Sequence, residues 1–87
     1  MRTATIYFSD KSTLVLSERD VIIPIIGNTS SDGNFASMSV PVELYWHTHD
    51  GLIPSIMDAL CFCSFFYVKS NDSPAYCVNS IIKIENN

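Results

Sequence analysis

Short runs of β-branched and aromatic residues, separated by clusters of turn-forming residues, dominate this chain of 87 residues. The first run covers residues 3–8, the polar cluster covers residues 9–12, and a second apolar run covers residues 13–16. β-Branched and aromatic side chains favour strands, and Ser and Asp between two such runs are typical of a tight turn. The chain is therefore predicted to begin with a β-hairpin.

The middle of the chain holds one more apolar run and then a long polar stretch. Residues 21–26 are apolar throughout, but Pro24 has no N–H to donate to a sheet, so this run is predicted to be an edge strand or a bulged strand. Residues 27–39 form the only long polar stretch. A structureless segment of that length in a small domain is usually functional or disordered, and both interpretations stay open.

Residues 41–48 are predicted to form the fourth strand. Val42, Leu44 and Trp46 fall on one side of an extended chain, and the residues between them fall on the other. This period of two is typical of a strand with one buried face.

The segment that follows, residues 51–60, is predicted to be the only helix. Asp50 is a candidate N-cap, and Pro54 is tolerated in a first helical turn. Ser55 and Asp58 are expected to point outward, away from an apolar helical face. That face is predicted to comprise Leu52, Ile53, Ile56, Met57 and Leu60.

Two strands are predicted after the helix, at residues 61–68 and 75–85, with a turn at residues 69–74. In the last strand, alternation predicts a shared face for Tyr76, Val78, Ser80, Ile82 and Ile84.

These elements predict one α+β domain spanning residues 1–87. About six strands are expected to form a mainly antiparallel curved sheet or a small partly open barrel, with the short helix between the fourth and fifth strands.

Charged residues are scarce, and this scarcity predicts self-association. They make up 16% of the chain, against about 25% in a typical globular protein, while hydrophobic residues make up 47%. A small domain with too few charges leaves apolar side chains at its surface, and such patches commonly mark interfaces. A homo-oligomer is therefore expected, most simply a dimer.

Charge distribution and apolar segment length argue against nucleic-acid and membrane partners. The net charge is −4, and the five basic residues are scattered singly along the chain, so no cluster is available for phosphates. The longest apolar stretch, residues 59–68, is about half of what a membrane-spanning helix needs. No signal peptide is visible, and three cysteines cannot all pair, so reduced thiols and a cytoplasmic location are expected.

One cluster suggests a metal site. His47 and His49 are two residues apart and would point the same way on a strand, and Cys61 and Cys63 have the same spacing. Two His and two Cys form an ordinary zinc set, although structural zinc sites usually have longer spacings between their ligands. The alternative interpretation is that the histidines end a strand at the surface and the cysteines are small buried hydrophobes. We expect no cofactor, with zinc as the alternative.

Catalysis has little support in the sequence. Cys61, Cys63 and Cys77 lie in apolar segments, where burial keeps a thiol protonated and inert. The acidic residues are dispersed, and the three glycines fit no phosphate-binding motif. A non-enzymatic protein is expected, while an enzyme with a small cleft between the helix and the 27–39 segment is a third hypothesis.

The aromatic residues supply the leading functional hypothesis. Alternation places Phe65 and Tyr67 on the face opposite Phe62 and Phe66, so one pair is expected in the core and the other at an interface, unless both faces are core. The predicted interface residues are Tyr45, Trp46, Phe65 and Tyr67. The sequence thus predicts a small interaction or accessory module that self-associates through an apolar, aromatic sheet face and exposes the 27–39 segment for a protein partner.

Overall fold

A computed structural model describes residues 2–30, 33–38, 40–69 and 73–87 of the chain. These residues form eight strands, one α-helix and a 3-10 helix at Val78–Ser80. The strands are β1 (Thr3–Phe8), β2 (Thr13–Ser17), β3 (Val21–Ser30), β4 (Gly33–Met38), β5 (Val42–Glu43), β6 (Phe65–Val68), β7 (Tyr76–Cys77) and β8 (Ile81–Asn86). The helix, α1, is Ile53–Leu60 and lies between β5 and β6.

The strands form two antiparallel sheets. The first, which we call the terminal sheet because it contains the first and last of these strands, has the order β2–β1–β8. The second, the central sheet, has the order β4–β3–β6–β7, with β5 also paired to β3. The predicted antiparallel α+β class is confirmed, with two sheets that do not close into a barrel.

The core lies between the two sheets and the helix. Phe8 of the terminal sheet stacks on Tyr76 at 5.5 Å between ring centroids, and Tyr76 stacks on Phe66 at 5.3 Å. This aromatic stack joins the two sheets directly. The buried apolar side chains are Ala4, Ile6, Phe8, Leu16, Ile22, Leu44, Leu52, Ile56, Ala59, Leu60 and Phe66.

The predicted hairpin at the start of the chain is confirmed as β1 and β2. Its turn places Lys11 at a φ of 74°, and the Asp10 carboxylate accepts hydrogen bonds from the N–H of Ser12 at 2.9 Å and from its hydroxyl. This self-bonding of a short acidic side chain is the turn chemistry that the sequence indicates.

The predicted loop at residues 27–39 is wrong. β3 continues to Ser30 and pairs with β4, from Ser30 opposite Gly33 to Ile25 opposite Met38. Polar side chains concealed this hairpin, because a two-stranded ladder is held by backbone hydrogen bonds and needs no apolar alternation. Residues 31, 32 and 39 lie outside the described residues.

Pro24 lies where the pairing of β3 is interrupted. The ladder with β4 ends at Ile25, and the ladder with β5 resumes at Ile22 with the register shifted by one residue. The carbonyls of Val21 and Ile25 accept hydrogen bonds from the N–H groups of Lys69 and Ser64, which flank β6. Successive residues of a strand direct their backbone groups to opposite sides, so the backbone of Pro24, which has no N–H, faces the interruption on the other side of β3. The predicted edge position is wrong because β3 has partners on both sides, and its register with β6 runs through Pro24 without a bulge.

The remaining predicted strands are shorter than expected. Within residues 41–48 only β5 is a strand, because Leu44 leaves the sheet and exchanges backbone hydrogen bonds with Arg19 and Asp20. Within residues 61–68 the strand begins at Phe65. Residues 75–85 are divided by the 3-10 helix, which sends β7 and β8 to different sheets. The shared face predicted for Tyr76 and Ile84 is therefore wrong. The turn predicted at residues 69–74 lies partly outside the described residues.

The helix is confirmed, with a different orientation from the predicted one. Its buried residues are Ser55, Ile56, Ala59 and Leu60, while Met57 is 58% exposed. The hydroxyl oxygen of Ser55 accepts a hydrogen bond from the N–H of Tyr45 at 3.2 Å, which explains why a serine is tolerated in the core. The predicted Asp50 cap is also wrong, because Asn86 of β8 supplies that contact from across the fold.

Candidate functional site

The outer faces of the two sheets differ in chemistry. On the terminal sheet, the Tyr7 hydroxyl donates to Glu85 at 3.0 Å, and the Lys83 ammonium lies 4.4 Å from the centroid of the Tyr7 ring. The bond to Glu85 raises the pKa of the Tyr7 hydroxyl. Further along, Asn87 accepts from the Thr5 hydroxyl at 3.1 Å and donates to that of Thr3 at 3.0 Å. These polar side chains are bonded to one another, as expected of a surface in water, and Val15, opposite Thr5 and 57% exposed, is an exposed apolar residue beside them.

The outer face of the central sheet carries a row of apolar side chains. Residues directly opposite in an antiparallel pair share a face, and the register of β3 and β6 places Ile23 opposite Tyr67 and Ile25 opposite Phe65. Phe65 is 44% exposed, and the other three are half-buried. We call Val21, Ile23, Ile25, Phe65 and Tyr67 the outer apolar patch.

Two residues of opposite charge, Glu43 and Lys69, border the outer apolar patch at one end. Glu43 of β5 is opposite Val21 on one side, and the N–H of Lys69 donates to the Val21 carbonyl at 2.8 Å on the other. Both charged side chains belong to exposed residues. The patch therefore ends in charges of opposite sign, separated by the width of one strand.

The four predicted interface residues occupy three different places. Phe65 and Tyr67 belong to the outer apolar patch, as just described. Tyr45 is 54% exposed but lies beyond the end of β5, where its ring packs on that of His47 at 4.8 Å. Trp46 lies on the core side, packed against the buried cluster, with the Arg2 guanidinium 5.4 Å from its ring centroid.

Sequence reasoning missed Ile23 and Ile25 as surface residues. The signal was the run of apolar residues from Val21 to Ile26, which breaks the alternation expected of a strand with one wet face. A strand that is apolar at both odd and even positions needs cover on both faces. The core covers only the face that bears Ile22 and Pro24.

The His and Cys residues of the zinc hypothesis lie at opposite ends of α1. His47 and His49 precede the helix, whereas Cys61 and Cys63 follow it, and eight helical residues span about 12 Å. In the part of the chain that the structure describes, no three His, Cys, Asp or Glu side chains are grouped to hold a metal ion. The geometry does not bring the four predicted ligands together.

His47 is held in a tight turn. Its N–H donates to the Gly51 carbonyl at 2.8 Å, and the Gly51 N–H donates back to the His47 carbonyl at 3.1 Å. Its Nε2 atom is buried and has no hydrogen-bond partner among the described residues, whereas the neighbouring His49 is exposed. The two histidines therefore differ in environment, one with a buried ring nitrogen and the other exposed.

The three thiols occupy different environments. Cys61 is exposed and its Sγ lies 3.2 Å from the Asp58 carbonyl, Cys63 is half-buried, and Cys77 lies opposite Phe65 in the central sheet. Burial raises the pKa of the Cys63 thiol, which favours its unreactive protonated form.

Two surface hollows lie away from the outer apolar patch. One, of about 230 Å³, lies between the β1–β2 turn and β7 and is lined by Asp10, Ser12 and Tyr76 among others. The second is an apolar groove of about 300 Å³ between α1 and the strand β8. Its lining residues are Met57, Leu60, Cys61, Val78, Ile81 and Ile84.

Comparison with protein-family models, with curated proteins and with solved structures gave no match for the chain. In the described ranges, α1 is far too short to cross a membrane, and no other helix is long and apolar enough to do so. The functional argument therefore rests on the residues and their geometry.

Proposed function

We propose that this protein is a non-enzymatic interaction module that self-associates, most simply as a dimer, through the outer apolar patch of the central sheet. The observation that carries the proposal is the contrast between the two outer faces of one small fold. The terminal sheet presents bonded polar side chains to solvent, whereas the central sheet presents Ile23, Ile25, Phe65 and Tyr67. An apolar face that recurs across adjacent strands is typical of a surface covered by a partner.

The distribution of charge supports the same proposal. From Val21 to Val42 the sequence contains a single charged residue, Asp32. Solvent-facing strands usually carry charges that keep sheets from associating, and this segment, which forms β3, β4 and the start of β5, carries almost none.

A second copy of the chain is the occupant that the border charges favour. A two-fold contact is self-complementary, so each copy presents the same patch to the other. In such a contact the Glu43 carboxylate of one copy can approach the Lys69 ammonium of the other, and the reverse. Charged rims of this kind select the partner and its orientation more than they add affinity.

A cytoplasmic setting is part of this proposal. Cys61, Cys63 and Cys77 are free thiols in the structure, which is typical of a protein kept in a reducing compartment. The scattered basic residues make a protein partner more suitable than a nucleic acid.

Sedimentation equilibrium over a concentration series tests the proposal with one substitution and a matched control. Phe65→Lys places a charge in the outer apolar patch at a residue already 44% exposed, and we expect the average mass to fall. Val15→Lys makes the same chemical change at a residue that is 57% exposed on the terminal sheet, and we expect the mass to stay that of the wild type.

Circular dichroism of both variants shows whether each remains folded. A wild-type protein that is monomeric over the whole series contradicts the proposal. Equal loss of mass in the two folded variants also contradicts it, because the effect would then not be specific to the patch.

A further inference from the structure

We propose that β8 is a second self-association element, which pairs antiparallel with β8 of another copy across a two-fold axis at Ile84. β8 ends the order of the terminal sheet and pairs with one strand, β1, among the described residues. A strand with an open edge offers a row of backbone donors and acceptors to a further strand. The contact is independent of the outer apolar patch, which lies on the other sheet.

The backbone of β8 has the correct phase for pairing at Ile84. The Asn87 N–H donates to the Thr3 carbonyl of β1 at 3.0 Å. Glu85 and Lys83, two and four residues earlier, lie opposite Thr5 and Tyr7 and have the same backbone orientation, toward β1. In an antiparallel ladder successive residues direct their N–H and C=O groups to opposite sides. The backbone groups of Ile84 are therefore directed away from β1, toward the open edge, where two copies of Ile84 can exchange both hydrogen bonds.

The charges of β8 select a second β8 as the partner. A lysine on an edge strand normally opposes pairing, because a neighbouring strand must accommodate its charge. When two copies of β8 pair antiparallel about Ile84, Lys83 of each copy lies directly opposite Glu85 of the other. Cross-strand pairs of opposite charge are favourable. The Lys83–Glu85 contact within one chain, at 3.7 Å, is exposed and contributes little, so a cross-strand contact can replace it while Glu85 still accepts from Tyr7.

The apolar groove beside β8 would be covered by the same contact. Ile84 lines the groove together with Met57 and Cys61 of the helix end, and Ile82 next to it is 70% exposed. Pairing at Ile84 brings the two grooves side by side on one face of a continuous six-stranded sheet. As the backbone ladder forms, apolar surface on both copies is removed from contact with water.

Two different self-complementary surfaces on one chain have a consequence for assembly. Each copy contacts one neighbour through the outer apolar patch and another through β8, so the wild type forms species larger than a dimer. Blocking either surface leaves dimers, and blocking both leaves monomers.

A mixing experiment in the Phe65→Lys protein isolates the β8 contact. Added to this background, Lys83→Glu leaves acidic side chains at positions 83 and 85, and Glu85→Lys leaves basic ones. We expect each variant alone to be monomeric, with association weakened about tenfold or more by the like charges placed opposite one another. An equimolar mixture should regain dimers, because position 83 of one variant then faces the opposite charge at position 85 of the other.

Mixing separates the contact between chains from effects within a chain, because no intrachain interaction is restored when two proteins are combined. The matched control is the pair Arg2→Glu and Glu18→Lys in the same background, which disturbs the other exposed ion pair, at 3.6 Å, and should leave the dimers unchanged. The inference is overturned if the Phe65→Lys protein is already monomeric, or if the mixture remains monomeric. In those cases the outer apolar patch is still tested by the mass of the wild type.

Discussion

The side chain of Asn86, in β8, bonds to the backbone just before the helix. Its side-chain oxygen accepts from the Leu52 N–H at 3.1 Å, and its amide nitrogen donates to the Asp50 carbonyl at 2.9 Å. The first N–H groups of a helix have no partner within the helix, so a cap must come from elsewhere. Gly51, at a φ of +67°, lets the backbone pass close to this amide, since a Cβ there would lie 2.5 Å from the Asn86 oxygen.

Replacing Asn86 by alanine should lower the free energy of unfolding by about 1–2 kcal/mol, because a cap and a second hydrogen bond are lost together. Urea unfolding followed by circular dichroism measures the change. Asn79→Ala, at an exposed position in the 3-10 helix, should change the value by less than about 0.5 kcal/mol. Equal effects of the two substitutions would contradict the role assigned to Asn86.

The Asp10 carboxyl group makes the stability of the fold depend on pH. Hydrogen bonds from the Ser12 hydroxyl and N–H hold the pKa of the Asp10 carboxyl below its usual value. A depressed pKa in the folded state adds stability above the unfolded pKa of about 3.9, and that stability is lost as the pH falls through the lower folded value. An NMR titration of the carboxyl carbon should give a higher pKa in Ser12→Ala than in the wild type. Identical titration curves would show that the Ser12 hydroxyl does not lower the pKa of the Asp10 carboxyl.

At the scale of elements, the helix shows what an apolar pattern can and cannot determine. The spacing of Leu52, Ile56 and Leu60 was sufficient to place a helix between two strands. It did not determine the rotation, because the stretch is apolar on more than one side and Met57 extends the pattern beyond the buried face. Ser55 was assigned to solvent on polarity alone, although a hydroxyl can be buried when it meets a backbone N–H.

The rotation of the helix can be tested with two neighbouring residues. Ile56→Ala should cost about 2–5 kcal/mol, because Ile56 is fully buried and its removal leaves a cavity. Met57→Ala should cost less than about 1 kcal/mol, because Met57 is largely exposed. Urea unfolding of both variants measures the difference. A larger loss in the Met57 variant would mean that the helix presents its other side to the core.

The strands differ in how far local sequence determined them. β1 and β2 follow from their own residues, because the apolar runs and the turn chemistry agree. β4 does not, because its hairpin with β3 is held by backbone hydrogen bonds between largely polar residues and leaves no apolar alternation to recognise. The division between β7 and β8 does not either, because a change of sheet depends on partners distant in sequence. Of the predicted interface residues, alternation alone placed Phe65 and Tyr67 on one face, but which side of each strand faces the core is decided by tertiary packing.

At the scale of the whole molecule, one fold combines two unlike sheets. The outer face of the terminal sheet carries hydrogen-bonded polar side chains, with Thr3 and Thr5 bonded to Asn87 and Tyr7 bonded to Glu85. The central sheet contributes Ile22 and Phe66 to the core and the outer apolar patch to the surface. A chain of this length has too small an interior to bury both faces of a sheet, so the apolar outer face of the central sheet lies at the surface, where we propose that a second copy covers it.

A mixed-label NMR experiment locates that partner surface most directly. Wild-type protein with ¹³C-labelled isoleucine is mixed with unlabelled protein, and isotope filtering then detects only contacts between copies. We expect intermolecular contacts from the methyl groups of Ile23 and Ile25 to aromatic protons of Phe65 or Tyr67 in the other copy. Associated protein that lacks these contacts would contradict the account, as would a sample that stays monomeric at every concentration.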